Sequence, residues 1–179
     1  VIGPDTRMEV ENTLTAPYRS IAVVVTEWPH QGNTVGTAFF IGPDVLATAG
    51  HNLFDPIYRE WASKVTVYPG ATRGVQYFGY ANHTNLTIGG EWGDYSNRMD
   101  DWGIIHLGSN VGNETGWMTT KAWTLNEVIG RSCMVTGYPE DLMNEDKSQG
   151  ENRIMYRANG TILGENFRAL PAFSHDVDT

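Results

Sequence analysis

The residues best suited to acid–base chemistry are a histidine and a pair of aspartates about fifty positions further along the chain. His51 follows an apolar run and several small residues in the stretch VLATAGHNLFD, and Asp100 and Asp101 directly precede the apolar run WGIIHL. Histidine is a common general base, and it normally needs a carboxylate that fixes its tautomer and stabilises the imidazolium. A carboxylate at the mouth of a buried strand is partly shielded from water. The pairing therefore predicts a proton-transfer site.

Two other arrangements offer alternative chemistry. Cys133 could act as a nucleophile for His51, but it lies in an apolar run, where a small buried residue is the more common role. His51 with Asp55, or the histidine and aspartates of the C-terminal HDVDT, could bind a metal ion. Neither set is accompanied by an HExxH motif or a Cys/His cluster. We therefore expect no metal ion and no cofactor.

The composition narrows the range of partners and locations. The 179-residue chain carries a formal net charge of −9, so we expect it to repel nucleic acid and anionic lipid. Its apolar runs are shorter than the roughly 20 residues of a membrane-spanning helix, so no membrane partner is expected. A first residue other than methionine, Val1, is typical of a processed, secreted protein. With one cysteine no intrachain disulfide can form, which favours a bacterial source for an exported protein.

Short runs rich in β-branched and aromatic residues recur along the whole chain and are separated by Gly, Pro, Asn and Asp. The predicted strands cover residues 20–28, 37–41, 45–49, 64–68, 75–80, 102–107, 132–137, 154–158 and 169–174. The pair Asn159-Gly160 predicts a hairpin turn. Helix candidates are confined to 52–62 and 125–129. This pattern predicts an all-β sandwich or pair of barrels, with the polar, glycine-rich segment 108–121 connecting two halves.

Five segments, in order, resemble the glutamyl endopeptidases, which are bacterial chymotrypsin-like serine proteases of the staphylococcal V8-like and Bacillus types. The segments are VIGPDTR at 1–7, PYRSI at 17–21, IGP with ATAGH at 41–51, DWGII at 101–105 and VTGYPED at 135–141. The resemblance implies a chymotrypsin-like double β-barrel. Residues 1–115 would form an N-terminal barrel that carries His51 and Asp101. Residues 116–179 would form the first part of a C-terminal barrel, which is incomplete in this chain.

The resemblance also implies the role of each site residue. His51 would be the general base of a Ser-His-Asp triad and Asp101 its orienting carboxylate, in an enzyme that cleaves peptide bonds after acidic residues, Glu preferred. Val1 and Thr179 would bind the acidic side chain of the protein or peptide substrate. Bacillus members have a disulfide beside the histidine, and the matching positions here are Gly36 and Asn52.

The nucleophile is missing from the expected sequence context. None of the seven serines lies in a Gly-x-Ser-Gly stretch, and the resemblance places the serine shortly after Thr179. We therefore expect this chain alone to be inactive, with the remaining C-terminal segment as its partner, either continuous with it or as a second chain. The alternative is a non-catalytic binding or toxin-like module of the same fold that lacks the nucleophile.

Overall fold

Short β-strands make up most of the regular structure. The structure is a computed structural model that describes residues 5–95, 97–139, 141–142, 153–164 and 174–175. The strands are β1 (Met8–Glu9), β2 (Ile21–Glu27), β3 (Thr34–Phe40), β4 (Val45–Thr48), β5 (Phe54–Asp55), β6 (Glu60–Trp61), β7 (Lys64–Pro69), β8 (Ala81–Ile88), β9 (Gly103–Leu107), β10 (Ser132–Gly137), β11 (Tyr156–Gly164) and β12 (Ser174–His175). The helices are α1 (Gly90–Tyr95), α2 (Gly112–Thr115) and α3 (Leu125–Val128), with 3₁₀ turns at Tyr18–Ser20, Gly50–Asn52 and Arg98–Asp100. The all-β prediction is confirmed.

Six antiparallel strands close into a barrel in the order β2-β3-β4-β9-β8-β7. Its interior is filled by side chains that alternate with outward-facing ones along each strand. Phe40, Leu46 and Ile105 lie in this core and have no exposed surface. Truncating such a side chain to alanine typically costs about 2–5 kcal/mol, so the barrel resists local deformation. It is a rigid support for the loops at its ends.

Strand β2 is buried on both faces, which explains its uninterrupted apolar run IAVVV. One face points into the barrel. The other contributes Val23 and Val25 to a second apolar cluster, where they meet Val10, Tyr138 and Met155. This cluster joins the barrel to a second, open sheet in which β1, β11 and β10 lie side by side and β12 pairs with β11.

A doubly paired arginine ties the beginning of the described chain to the end of β10. The Arg7 guanidinium donates two hydrogen bonds to Asp141, both at 2.7 Å, and two to Asp5. The Arg7 side chain is 3% exposed, whereas those of Asp5 and Asp141 are 42% and 54% exposed. The Arg7 hydrogen bonds hold the pKa of the Asp141 carboxyl below its usual range. This contact joins the residue before β1 to the segment that follows β10 of the second sheet.

The hairpin predicted at Asn159-Gly160 is wrong. Strand β11 runs through both residues, and they pair with Met134 and Cys133 of β10. The local turn preference of Asn-Gly is outweighed because the residues on either side continue the same antiparallel ladder, from Ser132 opposite Thr161 onward. Tertiary pairing thus decides the conformation here.

Two further predictions of secondary structure are wrong. A third concerns a segment that the structure describes only at its last residue. The helix candidate at 52–62 contains a small hairpin, because the Asp55 carboxylate accepts hydrogen bonds from the amides of Ile57 and Tyr58 and so forms a turn. The strand predicted at 75–80 is a loop, and the strand forms immediately afterwards as β8. The strand predicted at 169–174 lies outside the described residues except for its last position.

The segment between the two sheets contains α2 and α3, and α3 matches the helix candidate at 125–129. The division of the chain at residues 115 and 116 stays a prediction. Among the residues that the structure describes, no helix has the length and apolar character needed to cross a membrane.

The Arg7–Asp141 contact predicts a pH-dependent stability. A carboxyl whose pKa is depressed in the folded state adds stability above its unfolded pKa, about 4, and loses that contribution as the pH falls through the folded-state pKa. We expect Asp141→Asn to lower the free energy of unfolding at pH 7, with a difference from wild type that shrinks as the pH falls below about 4. Urea unfolding at several pH values measures this. A difference independent of pH, or an equal effect of the exposed control Glu11→Gln, would contradict the assignment.

Candidate active site

The register of two barrel strands brings His51 and Asp101 together. Strand β4 pairs antiparallel with β9, and Thr48 at the end of β4 lies opposite Gly103 at the start of β9. In an antiparallel pair, the residues that follow one strand meet those that precede its partner. The 3₁₀ turn after β4 and the 3₁₀ turn before β9 therefore lie side by side at one end of the barrel. Strands β5 to β8 and helix α1 lie between these two turns in sequence.

The Asp101 carboxylate holds His51 through both of its oxygen atoms. Oδ1 accepts a hydrogen bond from the His51 backbone amide at 2.8 Å, and Oδ2 lies 2.8 Å from His51 Nδ1. Because an ionised carboxylate can only accept, Nδ1 carries the proton in the neutral ring. Nε2 is then the nitrogen with a free lone pair. The His51 side chain is 59% exposed and that of Asp101 is 21% exposed, so the base is accessible and its partner is shielded.

The small residues before the histidine are required by this close approach. A Cβ atom on Gly50 would lie 3.2 Å from Asp101 Oδ1, 3.1 Å from the Trp102 carbonyl oxygen and 3.0 Å from the Trp92 ring. Such contacts are tighter than those ordinarily seen for side chains, and part of what they press on is backbone. In the sequence AGH, the residue directly before His51 is therefore a glycine, which has no side chain to meet these atoms.

Asn52 fixes the other side of the turn. Its Nδ2 donates to Thr48 Oγ1 at 2.9 Å, and its carbonyl oxygen accepts from Thr26 Oγ1 at 2.8 Å. A Cβ on Gly36 would lie 2.6 Å from the Asn52 amide group, so the two side-chain positions are adjacent. These are the two positions that the resemblance aligned with a disulfide. Here the Asn52 side chain packs against Gly36, and the hydrogen bonds of Asn52 go to Thr48 and Thr26.

The other aspartate of the pair, Asp100, has a different task. Asp100 Oδ2 accepts a hydrogen bond from the Glu91 amide at 3.0 Å, near the start of α1. This places the Asp100 carboxylate at the amino end of the helix. Asp101 is the one that contacts the imidazole.

Aromatic side chains line a cleft beside the histidine. Trp92, from α1, meets the His51 ring edge to face with 6.4 Å between centroids, and its indole Nε1 donates to the Phe54 carbonyl oxygen. The cleft has a volume of about 590 Å³. Its other described lining residues are Trp28, Gln31, Asn33, Thr34, Val35, Asn52, Asp55, Pro56, Ile57 and Arg153. No serine or cysteine is among the described residues that line it.

A chain of hydrogen bonds connects this site to the second sheet. The Tyr138 amide donates to Thr37 Oγ1 at 2.9 Å, and the Thr37 carbonyl oxygen accepts from Thr48 Oγ1 at 2.8 Å. Thr48 Oγ1 in turn accepts from Asn52. Tyr138 is anchored by its hydroxyl, which donates to the Ala71 carbonyl oxygen, and burial raises the pKa of Tyr138 well above its usual value. Tyr138 is therefore part of the scaffold that positions the histidine turn.

Of the remaining candidates, only Asp55 lines this cleft within the described residues. Val1 and Thr179 lie outside them. Cys133 is half-buried in β10 and is not among the lining residues of the cleft. Asp55 lines the cleft, but its carboxylate serves the turn between β5 and β6. In the described part of the chain, no group of three or more His, Cys, Asp or Glu side chains is arranged to hold a metal ion.

Sequence reasoning did not find Trp92 and Arg153 as residues of the cleft. Trp92 follows the pair Gly89-Gly90, which indicated only a turn, and Arg153 lies far from His51 in sequence. Neither position belongs to a motif. Only the folded chain shows that both line the same cleft as the histidine.

Two curated bacterial proteins are similar to most of this chain. Glutamyl endopeptidase of Bacillus licheniformis is 33% identical over 143 residues, which cover 79% of this chain and 42% of that protein. Extracellular metalloprotease of Bacillus subtilis is 30% identical over 142 residues, which cover 79% of this chain and 45% of that protein. The chain thus spans less than half the length of these curated relatives. No family model matches it.

A solved Glu endopeptidase has the same fold. It superposes with a TM-score of 0.79 at 28% sequence identity, and the superposition covers 93% of this chain and 72% of that chain. The predicted chymotrypsin-like double barrel is thereby confirmed, with one closed barrel and an incomplete second one in this chain. In sequence and in fold, the chain is similar to glutamyl endopeptidases.

Proposed function

We propose that the protein containing this chain is a secreted serine endopeptidase that hydrolyses peptide bonds after acidic residues, with Glu preferred. The observation that carries the proposal is the double contact of Asp101 with His51, to the backbone amide and to Nδ1. It leaves Nε2 of an accessible imidazole as a proton acceptor, which is what a hydroxyl nucleophile needs beside it.

His51 takes the proton of the attacking serine and then delivers it to the leaving amine. Asp101 keeps the ring in the required tautomer and stabilises the imidazolium that forms during the reaction. The serine comes from the segment that follows residue 179, together with backbone amides that stabilise the oxyanion. Val1 and Thr179 bind the acidic side chain of the substrate, with the Val1 amine as the positive charge.

The comparisons support the substrate class and location only by similarity. The name of the Bacillus licheniformis relative describes a glutamyl endopeptidase, and that of the Bacillus subtilis relative describes an extracellular protein. We extend both properties to this chain as part of the proposal. A non-catalytic binding module of the same fold is the competing hypothesis, and the following experiments distinguish the two.

The first prediction concerns the residue before the scissile bond. With the complete protein, we expect a peptide with Glu at that position to have a kcat/KM at least about tenfold higher than the same peptide with Gln, because a charge-assisted contact is lost with the carboxylate. Cleavage measured by mass spectrometry also locates the bond. Equal rates for the two peptides would reject acid selectivity, and no cleavage of any peptide would favour the binding module.

The second prediction is that His51→Ala reduces kcat/KM for the Glu peptide by more than about 10⁴-fold, because the general base is removed. His30→Ala is a matched control, since His30 also faces a carboxylate, that of Glu60 at 3.3 Å, but is not among the residues lining the cleft. We expect the control to retain wild-type activity. An active His51→Ala protein would remove the assignment.

The third prediction concerns the tautomer. Asp101→Asn should lower kcat by about 10⁴-fold, because an amide can donate to Nδ1 and thereby place the imidazole proton on Nε2. Asp94→Asn is the control, since Asp94 is an exposed aspartate 3.6 Å from Arg59. If Asp101→Asn keeps more than a tenth of the wild-type kcat, the orienting role of the carboxylate is wrong.

A further inference from the structure

We propose that the cleft beside His51 binds an apolar side chain on the leaving side of the substrate, within two residues after the scissile bond, and that Ile57 recognises it. This inference rests on the proposed endopeptidase function and deepens it, because it names a second preference of the same active site. The preference concerns apolar surface and is separate from the selection of an acidic residue before the bond.

Ile57 is an exposed apolar residue at the edge of the cleft. It lies in the turn between β5 and β6, lines the cleft together with His51, and is 84% exposed. This is the largest exposed fraction of any large apolar side chain in the described part of the chain. A single exposed isoleucine is ordinary on a protein surface. Beside an accessible base, however, it provides apolar area that a bound substrate can cover.

The turn holds the Ile57 backbone in place and leaves its side chain unused. Asp55 Oδ1 accepts hydrogen bonds from the Ile57 amide at 2.8 Å and from the Tyr58 amide at 3.1 Å. Below the turn, Phe54 pairs with Trp61, and their rings meet edge to face with 5.2 Å between centroids. Because the turn is fixed before a ligand arrives, little conformational entropy is lost when Ile57 makes a contact.

The indole rings of the cleft offer apolar surface, because their polar atoms are already hydrogen-bonded. Trp28 Nε1 donates to Thr34 Oγ1 at 2.8 Å, and Trp92 Nε1 donates to the Phe54 carbonyl oxygen at 3.2 Å. An indole has one donor and no acceptor, so the rings meet a ligand through their apolar surface. Together with Ile57, they favour a substrate group that is transferred out of water without losing hydrogen bonds.

The position of His51 at this cleft assigns the cleft to the leaving side. Asp101 occupies Nδ1, so the proton that His51 accepts and returns is carried by Nε2. The leaving nitrogen must come within hydrogen-bond distance of Nε2 to receive that proton. The residues attached to this nitrogen therefore begin at His51. In the proposed function, Val1 and Thr179 bind the residue before the bond, which leaves this cleft to the residues after it.

The cleft also has room for such residues. Its volume of about 590 Å³ lies within the range of about 300–1,000 Å³ that is usual for ligand pockets. An apolar side chain that enters it can contact Ile57 at the edge and the rings of Trp28 and Trp92 further in.

The test uses the complete protein and blocked peptides that share a Glu before the scissile bond. One set carries Leu or Asn at the first or second position after that bond. A second set carries Leu or Asn at the position before the Glu. Leu and Asn have the same number and arrangement of side-chain heavy atoms, so the comparison changes polarity with little change of shape.

For wild type, we expect kcat/KM to be about tenfold higher for Leu than for Asn at one of the two leaving positions, because only Leu gains from apolar contact. In Ile57→Ser this ratio should fall at least about threefold, while kcat/KM for the Asn peptide stays at its wild-type value. Ile57→Leu should keep the ratio, because the apolar surface is retained.

Tyr58→Ser is the matched control. Tyr58 is the next residue in the same turn and is 66% exposed, but it is not among the described residues that line the cleft. The backbone hydrogen bonds to Asp55 remain in both serine variants, since they involve amides. We expect the control to keep the wild-type ratio of Leu to Asn.

Several results would overturn the inference while leaving the proposed function intact. These are equal wild-type rates for Leu and Asn at both leaving positions, a ratio that is unchanged in Ile57→Ser, or an equal fall of the ratio in Tyr58→Ser. A Leu preference that depends on Ile57 but appears only before the Glu would overturn the assignment to the leaving side. A wild-type protein that cleaves no peptide would instead reject the proposed function. The wild-type comparison needs no variant, so misfolding of an Ile57 substitution does not prevent the test.

Discussion

The structure depends on one carboxylate that makes two contacts. Asp101 binds the backbone amide of His51 and its Nδ1 atom at the same time, so it fixes the turn as well as the ring. A contact to the imidazole alone would leave the turn free to move, and a contact to the amide alone would leave the tautomer undefined. With both, the position and the protonation state of the base are set by the same group. The absence of a side chain on Gly50 is the geometric condition for it.

The surrounding fold serves to keep these two turns in place. Asp101 precedes β9 and His51 follows β4, and the pairing of these strands is part of a closed barrel whose core is fully buried. Hydrogen bonds then run from Asn52 through Thr48 and Thr37 to the Tyr138 amide. Displacement of the second sheet would therefore be transmitted to the turn that carries the base. Residues far apart in sequence thus support a single proton acceptor.

The sequence predicted most strands and the pairing of His51 with Asp101. Both predictions depend on local signals, which are apolar runs bounded by turn residues and the two motifs that carry His51 and Asp101. It failed where contacts distant in sequence decide the conformation. Asn159-Gly160 has the composition of a turn but is held extended by β10. The other wrong predictions have local causes that the hydrophobic pattern does not reveal. One such cause is the pair of hydrogen bonds to the Asp55 carboxylate, which form a turn inside the predicted helix. Arg153 carried no signal at all, since its place in the cleft exists only in the folded chain.

Asp101 sets the tautomer of His51, and nuclear magnetic resonance of the complete protein with ¹⁵N-labelled histidine tests this role most directly. At a pH at which the imidazole is neutral, the nitrogen shifts distinguish a protonated from an unprotonated ring nitrogen. The structure predicts a proton on Nδ1 and a free lone pair on Nε2. It also predicts that the assignment reverses in Asp101→Asn. A wild-type His51 with its proton on Nε2, or a ring that exchanges freely between both forms, would contradict the claim.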